Sequence, residues 1–377
     1  MARLTPRSGT FRPPNSVSLK TLSQLPDVPA GMSGNAEMRG PRRILIILMG
    51  SIGDVVRALP LLGRMRKAWP HAHIAWAVEP KSAPIIEGHR WLDEMIIYNR
   101  AQPLTFPSFL HRVRAGRFDL VLDLQRHLKS GLTGWISGAS ERVGFAAANT
   151  KEFNHWFSTR QIAAQPNMRL KLLQYQSFGD ALGIAPAPIE FGLEPGDDDL
   201  RRAAELIGRT DRPLLGVILG SSWESRIYFP QSTAEAISQL HCRYGLLPLL
   251  IGGRDDRGLA EDVRRCLKTI EPIDLAGRTR LKDLPAIFRH CRAAFGPDCG
   301  PMHIAAAVGC PVVSLWGSTA PERSAPWGFA DFAIKAPIPC HPCYLRRCPI
   351  GRECMHRIEP AEVVAAVERA MAAAQNH

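Results

Sequence analysis

An aspartate in a glycine-flanked turn is the first group in this sequence that could do chemistry. Asp54 stands in ILIILMGSIGDVVRALPLL, where an apolar run leads through a turn with Gly50 and Gly53 into a helical pattern. Such a turn lies at the carboxyl ends of the strands, where open α/β sheets bind ligands. Asp54 could be a general base that the helix N-terminus keeps ionised. It could also be a cap of that helix, and the two roles are compatible.

A second glycine turn occurs near residue 300, in FGPDCGPMHIAAAVGCPVVSLWG. Asp298, Cys299 and Gly300 precede a proline, so the spacing predicts a strand, a turn and a short helix that ends near Gly309. The N–H groups of Cys299 and Gly300, at an exposed helix N-terminus, suit a pyrophosphate. His303, one turn further, could donate a hydrogen bond to phosphate or could be a structural histidine.

Four of the nine cysteines lie close together as C-x2-C-x4-C-x5-C. This spacing predicts either a structural zinc site with four thiolate ligands or a group of free or redox-active thiols. The residues concerned are Cys340, Cys343, Cys348 and Cys354, with His341 and His356 as alternative ligands.

Basic residues outnumber acidic ones along the chain. Forty-seven Lys and Arg against 35 Asp and Glu give a net charge of +12, which indicates anionic partners. Arg57, one turn beyond Asp54, is a candidate contact for such a partner. Arg126 and Lys129, after a predicted strand, are further candidates, and a solvated helix face is the alternative for the other basic residues. No recognised nucleic-acid-binding module occurs, so we expect no nucleic acid partner.

The elements that must position these residues follow an alternating pattern from residue 44 on. Short apolar runs rich in branched residues alternate with amphipathic stretches, which is typical of parallel sheets wrapped by helices. We predict strands at 44–49, 74–78, 95–98, 120–124, 142–145, 214–219, 246–251, 272–275, 293–295 and 312–316. We also predict helices over 55–69 and 360–373.

The length of 377 residues suggests two domains. A cluster of Pro, Gly and acidic residues at 185–199 predicts the linker between them. Residues 1–41 are a Pro-, Ser-, Gly- and Arg-rich leader, either a basic arm or the result of a mis-assigned start that belongs at Met32 or Met38. No apolar run approaches the roughly 20 residues of a membrane span, and the first residues lack the apolar core of a secretory signal. We therefore expect a soluble cytoplasmic protein with reduced cysteines.

Together the two glycine turns resemble those of the ADP-heptose:lipopolysaccharide heptosyltransferases, glycosyltransferase family 9. The pairing of GSIGDVVRALP with DCGPMHIAAAVGCPVVSLWGSTAPERSAPWG carries this resemblance, which extends over residues 42 to about 372. It implies an α/β structure of the GT-B fold, with two Rossmann-like doubly wound domains facing a cleft. The implied parts are an acceptor-binding domain over 42–190, a sugar-nucleotide-binding domain with the cysteines over 191–358, and a last helix, 359–377, that returns toward the first domain.

The resemblance also implies roles for individual residues. Asp54 would deprotonate the acceptor hydroxyl, with Gly53, Arg57, Arg126 and Lys129 on the acceptor side. The residues implied on the donor side are Ser221, Ser222, Arg226, Asp256, Asp298, Cys299, Gly300 and His303. Cys299 departs from the family's usual threonine, and Arg226 in GSSWESRIYFP stands nearest the place of a family lysine.

The implied reaction is an inverting transfer of heptose from ADP-L-glycero-D-manno-heptose to Kdo or heptose of lipid A–Kdo or inner-core lipopolysaccharide. The resemblance implies that no metal or other cofactor is required for catalysis, and that the enzyme is peripheral on the anionic inner face of the cytoplasmic membrane. One alternative is a GT-B protein that uses another nucleotide sugar, for transfer or epimerisation. A second is a degenerate nucleotide-binding member without transfer activity, because Cys299 and the altered lysine loop depart from the common pattern.

Overall fold

Two β-sheets, each of six parallel strands, organise the chain in a computed structural model that describes residues 40–374. The first sheet has the order β3-β2-β1-β4-β5-β6. Its strands are β1 Arg43–Ile47, β2 His73–Val78, β3 Glu94–Ile97, β4 Leu120–Asp123, β5 Glu141–Gly144 and β6 Arg160–Gln161. The predicted leader therefore lies outside the described residues, except for residues 40 and 41.

The second sheet repeats the same winding, with the order β12-β11-β10-β7-β8-β9. Its strands are β7 Leu214–Ile218, β8 Leu247–Ile251, β9 Ile273–Asp274, β10 Cys291–Pro297, β11 Val312–Trp316 and β12 Ala333–Lys335. In both sheets the strand order reverses beside the first strand, between β1 and β4 and between β7 and β10. Ligands of doubly wound sheets bind at such a switch point, outside the carboxyl ends of the strands.

Helices cover both faces of each sheet, as parallel sheets require. They are α1 Ile52–Ala68, α2 Phe106–Ala115, α3 Leu128–Ile136, α4 Lys171–Ala181, α5 Asp197–Ile207, α6 Pro230–Tyr244, α7 Arg257–Cys266, α8 Asp283–His290, α9 Gly300–Ala307, α10 Pro321–Ser324, α11 Glu353–His356 and α12 Pro360–Ala373. α1 and α4 pack together on one face of the first sheet. Within residues 40–374 no helix is long and apolar enough to cross a membrane.

All ten predicted strands are present, each within two residues of its expected bounds. The prediction missed β6 and β12, which form the last strand of each sheet. Both are only two or three residues long, and β6 consists of the exposed Arg160 and Gln161. Such edge strands carry no buried apolar run, which is the signal on which the prediction depended.

The segment between the two sheets stays on the first domain beyond the predicted boundary at residue 190. His89 Nε2 lies 3.0 Å from the carbonyl oxygen of Phe191, and Arg90 forms a 3.0 Å ion pair with Glu194. The second domain begins with α5, which packs against α8. The predicted linker at 185–199 thus runs along the first domain and then enters α5.

The last helix, α12, covers the second sheet. It packs against α6 and against β10, β11 and β12, and its buried face, which includes Val363, Val367 and Met371, belongs to the core of the second domain. The expectation that this helix returns toward the first domain is therefore corrected. The alanine- and valine-rich face of α12 completes the layer beside α6, which leaves that face buried within its own domain.

Candidate functional site

The first glycine turn joins β1 to α1 and places Asp54 in the first turn of the helix. Ser51 is the N-cap, with extended backbone, and its hydroxyl oxygen lies 3.4 Å from the Asp54 N–H. The same hydroxyl donates to Asp54 Oδ2 at 2.9 Å. The cap of this helix is therefore Ser51 and not Asp54, which supports the helix start only through the hydrogen bond from the Ser51 hydroxyl. The second carboxylate oxygen of Asp54, Oδ1, faces other partners.

Asp54 Oδ1 is surrounded by cationic and hydroxyl donors. The Lys171 ammonium and the Arg57 guanidinium each donate to it at 2.8 Å, and the Tyr175 hydroxyl lies 3.4 Å away. The Asp54 side chain retains 18% exposure, so it is shielded but still open to the cleft. This carboxylate is the most heavily contacted group in the turn.

These neighbours decide the protonation state of Asp54. Burial acts to raise the pKa of this carboxyl, but the charges of Lys171 and Arg57 outweigh burial and hold the pKa well below its ordinary value. Burial also lowers the pKa of Lys171, against the opposing effect of Asp54. Asp54 is consequently ionised over the physiological pH range and is a weak base in this arrangement.

Arg57 connects the first domain to the second. Its Nη1 lies 2.6 Å from His303 Nε2, and the same nitrogen lies 3.4 Å from the carbonyl oxygen of Ser324. A guanidinium has no acceptor, so Arg57 donates, and His303 is neutral with its proton on Nδ1. Burial and the Arg57 charge hold the pKa of His303 well below its ordinary value. In this structure His303 therefore contacts the first domain, and its predicted contact with phosphate stays a prediction.

The two glycine turns touch each other directly. A Cβ at Gly53 would lie 2.7 Å from His303 Cδ2, and a Cβ at Gly300 would lie 2.7 Å from the Cβ of Ile52. Glycine at both positions lets α1 and α9 approach this closely. The expectation of an exposed α9 N-terminus is therefore corrected, because the start of α1 covers it. Gly53 and Arg57 face the second domain here, and their acceptor role stays a prediction.

The second glycine turn holds a buried carboxylate, Asp298. Its Oδ2 accepts a 2.8 Å hydrogen bond from the Thr319 hydroxyl and forms a 3.1 Å ion pair with Arg226. The Arg226 guanidinium also lies over the Trp223 ring, 3.9 Å from the centroid. Burial lowers the pKa of Arg226, against the opposing charge of Asp298. The structure thus brings the predicted donor residues Arg226 and Asp298 together.

Two other predicted donor residues, Ser221 and Cys299, lie at the same turn, and a third, Ser222, does not contact it. Ser221 donates from its hydroxyl to the carbonyl oxygen of Asp298 at 3.0 Å, whereas Ser222 is exposed on the loop after β7. Cys299 is the N-cap of α9, and burial raises the pKa of its thiol to about 12. The Cys299 thiol is therefore neutral, which leaves the backbone N–H groups as the anion donors of this turn.

Asp256 lies at the carboxyl end of β8, beside the end of β7. Its Oδ2 accepts from the Gly253 N–H at 2.7 Å, and a Cβ at Gly220 would overlap with the Asp256 carboxylate. Burial raises the pKa of this carboxyl, although the hydrogen bond from Gly253 acts in the other direction. The Asp256 carboxylate therefore lies against the backbone of Gly220, at the carboxyl ends of β7 and β8.

Arg126 and Lys129, the other two basic residues predicted on the acceptor side, lie in different surroundings. Arg126 donates to Gln174 Oε1 and stacks 4.2 Å over Phe145, and burial lowers its pKa while the charge of Asp54 acts to raise it. The Lys129 ammonium instead lies 3.8 Å from the Glu79 carboxylate and 5.0 Å from the centroid of the Tyr98 ring. The structure brings Arg126 into the electrostatic reach of Asp54 and turns Lys129 away from it.

Sequence reasoning missed Lys171, Tyr175 and Arg323. Lys171 and Tyr175 are four residues apart on α4, so they share one helix face, which is a weak local signal. Arg323 lies in α10, which packs against α4, and its charge acts on both Lys171 and Arg126. No motif marks α4, because its packing against α1 is what brings it to Asp54.

Buried guanidinium donors without partners lie in the same cleft. Among residues 40–374, the Nε atoms of Arg57, Arg226 and Arg323 are buried and have no hydrogen-bond partner. A buried N–H without an acceptor is costly, so these atoms favour a ligand with acceptor oxygens. The cleft can therefore bind an anion and can hold an ionised carboxylate beside it.

The four clustered cysteines lie outside this cleft chemistry. Cys340 is exposed and Cys354 is buried, with Cys343 and Cys348 between these limits. Burial raises the pKa of Cys354, and the charges of the other three thiols add to this. In the described part of the chain no three His, Cys, Asp or Glu side chains are placed to hold a metal ion. Structural zinc stays a prediction, which metal analysis of protein purified without chelator tests.

Comparison with known proteins gives a consistent result. The family model described as "Glycosyltransferase family 9 (heptosyltransferase)" matches residues 107–353. Lipopolysaccharide core heptosyltransferase OpsX of Haemophilus influenzae is 23% identical over 296 residues, which cover 78% of this chain and 84% of that protein.

Solved structures share the fold. The glycosyl transferase family 9 protein from Veillonella parvula aligns with a TM-score of 0.74 and 23% identity, over 88% of this chain and 97% of that one. The E. coli ADP-heptose lipopolysaccharide heptosyltransferase II aligns with a TM-score of 0.70 and 19% identity, over 88% of this chain and 98% of that one. The predicted GT-B architecture is confirmed.

Proposed function

The chain belongs to glycosyltransferase family 9, the heptosyltransferases, and on that premise we propose that it transfers heptose from ADP-L-glycero-D-manno-heptose to the inner core of lipopolysaccharide. The acceptor in this proposal is Kdo or a first heptose. The observation that carries it is the cleft between the two sheets. There the ionised Asp54 lies beside Lys171 and Arg57. The buried Nε atoms of Arg57, Arg226 and Arg323 have no hydrogen-bond acceptor there.

The donor nucleotide is proposed to bind at the carboxyl ends of β7, β8 and β10. Asp256 would accept hydrogen bonds from ribose hydroxyls, because its carboxylate lies against Gly220 with one oxygen available. Arg226 and the N–H groups at the start of α9 would bind the diphosphate, since a guanidinium and a helix N-terminus both favour anions. The contact between α1 and α9 must loosen for the diphosphate to reach this helix.

The acceptor is proposed to bind on the first domain. Kdo carries a carboxylate and lipid A carries phosphates, and both suit the basic side of the cleft. Lys171, Arg126 and Arg323 interact electrostatically there, so an anionic acceptor reduces their mutual repulsion. Arg126 lies on this side, and a contact between Lys171 and the acceptor would also weaken its contact with Asp54.

The proposed chemical step uses Asp54 as the base. The acceptor hydroxyl oxygen forms a bond to the anomeric carbon, and its proton moves to the Asp54 carboxylate. The bond from the anomeric carbon to the phosphate oxygen breaks, and its electron pair leaves with ADP. Attack from the face opposite ADP inverts the configuration. When acceptor anions draw Lys171 and Arg57 away, the pKa of Asp54 rises and the carboxylate becomes a better base.

The charge that develops on the leaving diphosphate needs preorganised cations. We propose that Arg226, Arg57 and the α9 N-terminus supply them, so that catalysis requires no metal. We also place the enzyme in the cytoplasm, at the anionic inner face of the membrane that carries the acceptor. Transfer should then continue in the presence of a chelator, and a strict requirement for a divalent metal would contradict this part of the proposal.

Thermal unfolding with ADP, UDP, GDP or NAD, each with and without chelator, tests the donor. A ligand at about 100 times its Kd adds about 2.7 kcal/mol to the free energy of unfolding. We expect ADP alone to raise the Tm, independently of chelator. A rise with UDP or GDP instead would replace the donor, and no rise with any nucleotide would favour a degenerate member.

Transfer assays with Asp54→Asn test the base. We expect kcat to fall about 10²- to 10⁴-fold, which is the usual contribution of a positioned base, while stabilisation by ADP is retained. Glu205→Gln, an exposed carboxylate on α5, is the control and should leave both unchanged. Full transfer by Asp54→Asn would show that Asp54 is not the base and only supports the start of α1.

A further inference from the structure

Helix α3 exposes its large apolar residues and buries its small ones. Leu128, Leu132 and Trp135 recur at helical spacing and are 45%, 37% and 58% exposed. The buried positions of this helix are instead Ser130, Gly131, Thr133 and Gly134. A helix that only had to complete a core would show the reverse arrangement.

The small residues explain how α3 packs. A Cβ at Gly134 would lie 3.5 Å from Ile47 and Val121, and a Cβ at Gly131 would lie 2.8 Å from Phe157. The helix therefore lies close to the sheet through its glycines. The apolar face on its outer side takes no part in this packing, so it is available to another partner.

A neighbouring turn adds two aromatic rings to this face. Phe153 and Trp156 are 61% and 70% exposed and stack with their centroids 4.6 Å apart. Phe153 has a φ of 57° and the preceding Glu152 a φ of 53°, which is a left-handed backbone that costs free energy in such residues. The Glu152 carboxylate accepts from the Leu128 N–H at 3.1 Å, which ties this turn to the start of α3.

The surroundings of the face are basic. Residues 98–161 contain nine Lys and Arg against four Asp and Glu, a net charge of +5. The acidic side chains already have partners within the protein: Asp119 accepts from two backbone N–H groups, Asp123 is buried, Glu141 pairs with Arg160, and Glu152 caps α3. The exposed basic side chains include Arg114 on α2, beside α3, and Lys151 next to the aromatic pair, whereas Arg112 on α2 forms a 2.8 Å ion pair with Glu94.

We propose that the α3 apolar surface, formed by Leu128, Leu132, Trp135, Phe153 and Trp156, docks the enzyme on an anionic lipid bilayer. Aromatic and aliphatic side chains enter the interfacial region, and the surrounding cations bind acidic headgroups. This inference rests on the proposed function in that the acceptor resides in such a bilayer. A second copy of the chain fits this surface less well, because two faces of charge +5 repel each other.

Docking through this surface also orients the cleft. α3 begins directly after the carboxyl end of β4, and β4 pairs with β1, which leads into the Asp54 turn. Arg126 lies between β4 and α3 and within electrostatic reach of Asp54. The carboxyl ends of β1 and β4, which carry the proposed acceptor side of the cleft, therefore lie beside the bilayer, where a lipid-anchored sugar emerges.

Vesicle flotation of the full chain tests the surface. We expect wild-type protein to float with vesicles of phosphatidylglycerol and phosphatidylethanolamine, and far less with phosphatidylcholine. Replacing both Trp135 and Trp156 by Ser should lower binding about tenfold or more, because two indoles lose their interfacial burial. Lys151→Glu with Arg114→Glu should also weaken binding to the anionic vesicles, by about fivefold for each basic residue removed.

The matched control is Ile350→Ser, which removes a 61% exposed apolar residue from the second domain and should bind like wild type. Equal binding by the double Trp→Ser variant, or an equal loss in the control, would overturn the proposal. A wild-type dimer that the double variant converts to monomer on size exclusion would make this surface a self-association interface instead. A transfer assay with a delipidated acceptor separates the docking proposal from the proposed function. The double Trp→Ser variant should retain transfer to this acceptor if only docking is impaired. If the proposed function is wrong, wild type will also show no transfer.

Discussion

Two aspartates that follow neighbouring strands of the first sheet are treated in opposite ways by the fold. Asp54 lies in the turn after β1, and Asp123 ends β4, the strand paired with β1. Both are shielded from solvent. Asp54 has two cationic partners, Lys171 and Arg57, whereas Asp123 accepts only from neutral donors, those of Asn154, Ser130 and the Gln125 N–H at 2.7 to 3.0 Å.

The pKa values of the two carboxyls accordingly move apart. Burial raises the pKa of Asp123 to about 7, and its hydrogen bonds offset only part of this. Burial acts in the same direction at Asp54, but there the cationic partners reverse the outcome. Burial alone therefore does not identify a reactive carboxylate in this sheet. The proposed role of Asp54 rests instead on its position between the two sheets and on the charge of its neighbouring donors.

The largest expected effect that tests this difference between Asp54 and Asp123 is the change in the free energy of unfolding caused by Asp123→Asn. The pKa of Asp123 is raised above its unfolded value of about 3.9, so the native state binds the proton more tightly. Its contribution to stability is complete below pH 4 and is lost as pH rises through about 7. The free energy of unfolding of the Asn variant, relative to wild type, should therefore increase by about 4 kcal/mol between pH 4 and pH 8.

Denaturant unfolding at several pH values measures this difference for Asp123→Asn, wild type and Glu205→Gln. All other titrating groups are common to the three proteins, so they cancel when each variant is compared with wild type. The control, Glu205→Gln, should follow wild type at every pH. Parallel curves for Asp123→Asn and wild type would mean that Asp123 titrates normally, and the contrast with Asp54 would then disappear.

A smaller effect is expected when Asp54 is made to resemble Asp123. Lys171→Met keeps the length of the side chain but removes its charge, so burial meets less opposition and the pKa of Asp54 rises. A base must be ionised to act, so the acid limb of the kcat/KM profile should move to higher pH. Tyr175→Phe removes an uncharged contact at 3.4 Å and should move the limb less. Equal movement in both variants would show that hydrogen bonding, rather than charge, sets the pKa of Asp54.

The parts of this arrangement that were predictable from sequence are those encoded within a few residues. Asp54 and Asp298 each lie in a strand–turn–helix motif, and β1 and β11 are apolar runs buried on both faces. Lys171, by contrast, is 117 residues from Asp54. Only the packing of α4 on α1 brings it there, and no local pattern records that contact.

The errors in the fold have a similar cause. β12 at the sheet edge buries little apolar surface, so its three residues give no periodic signal. The α12 helix was predicted at its observed bounds, but its destination was wrong, because an apolar helix face does not specify which domain covers it. The covering of the α9 N-terminus by Ile52 was likewise invisible, since it depends on how the two domains meet.

The smallest expected effect is the change in the free energy of unfolding caused by Gly53→Ala, at the contact between α1 and α9. Gly53 is the second residue of α1, where alanine by itself stabilises a helix by up to about 1 kcal/mol, but its Cβ would lie 2.7 Å from His303 Cδ2. We expect a net loss of about 1 kcal/mol in the free energy of unfolding, which His303→Ala should abolish, because the two side chains are coupled. Gly258→Ala is the matched control, since Gly258 is the second residue of α7 and its Cβ would meet nothing within 4 Å. It should stabilise both backgrounds alike, and an equal loss from Gly53→Ala in both would mean that the contact between α1 and α9 does not persist in solution.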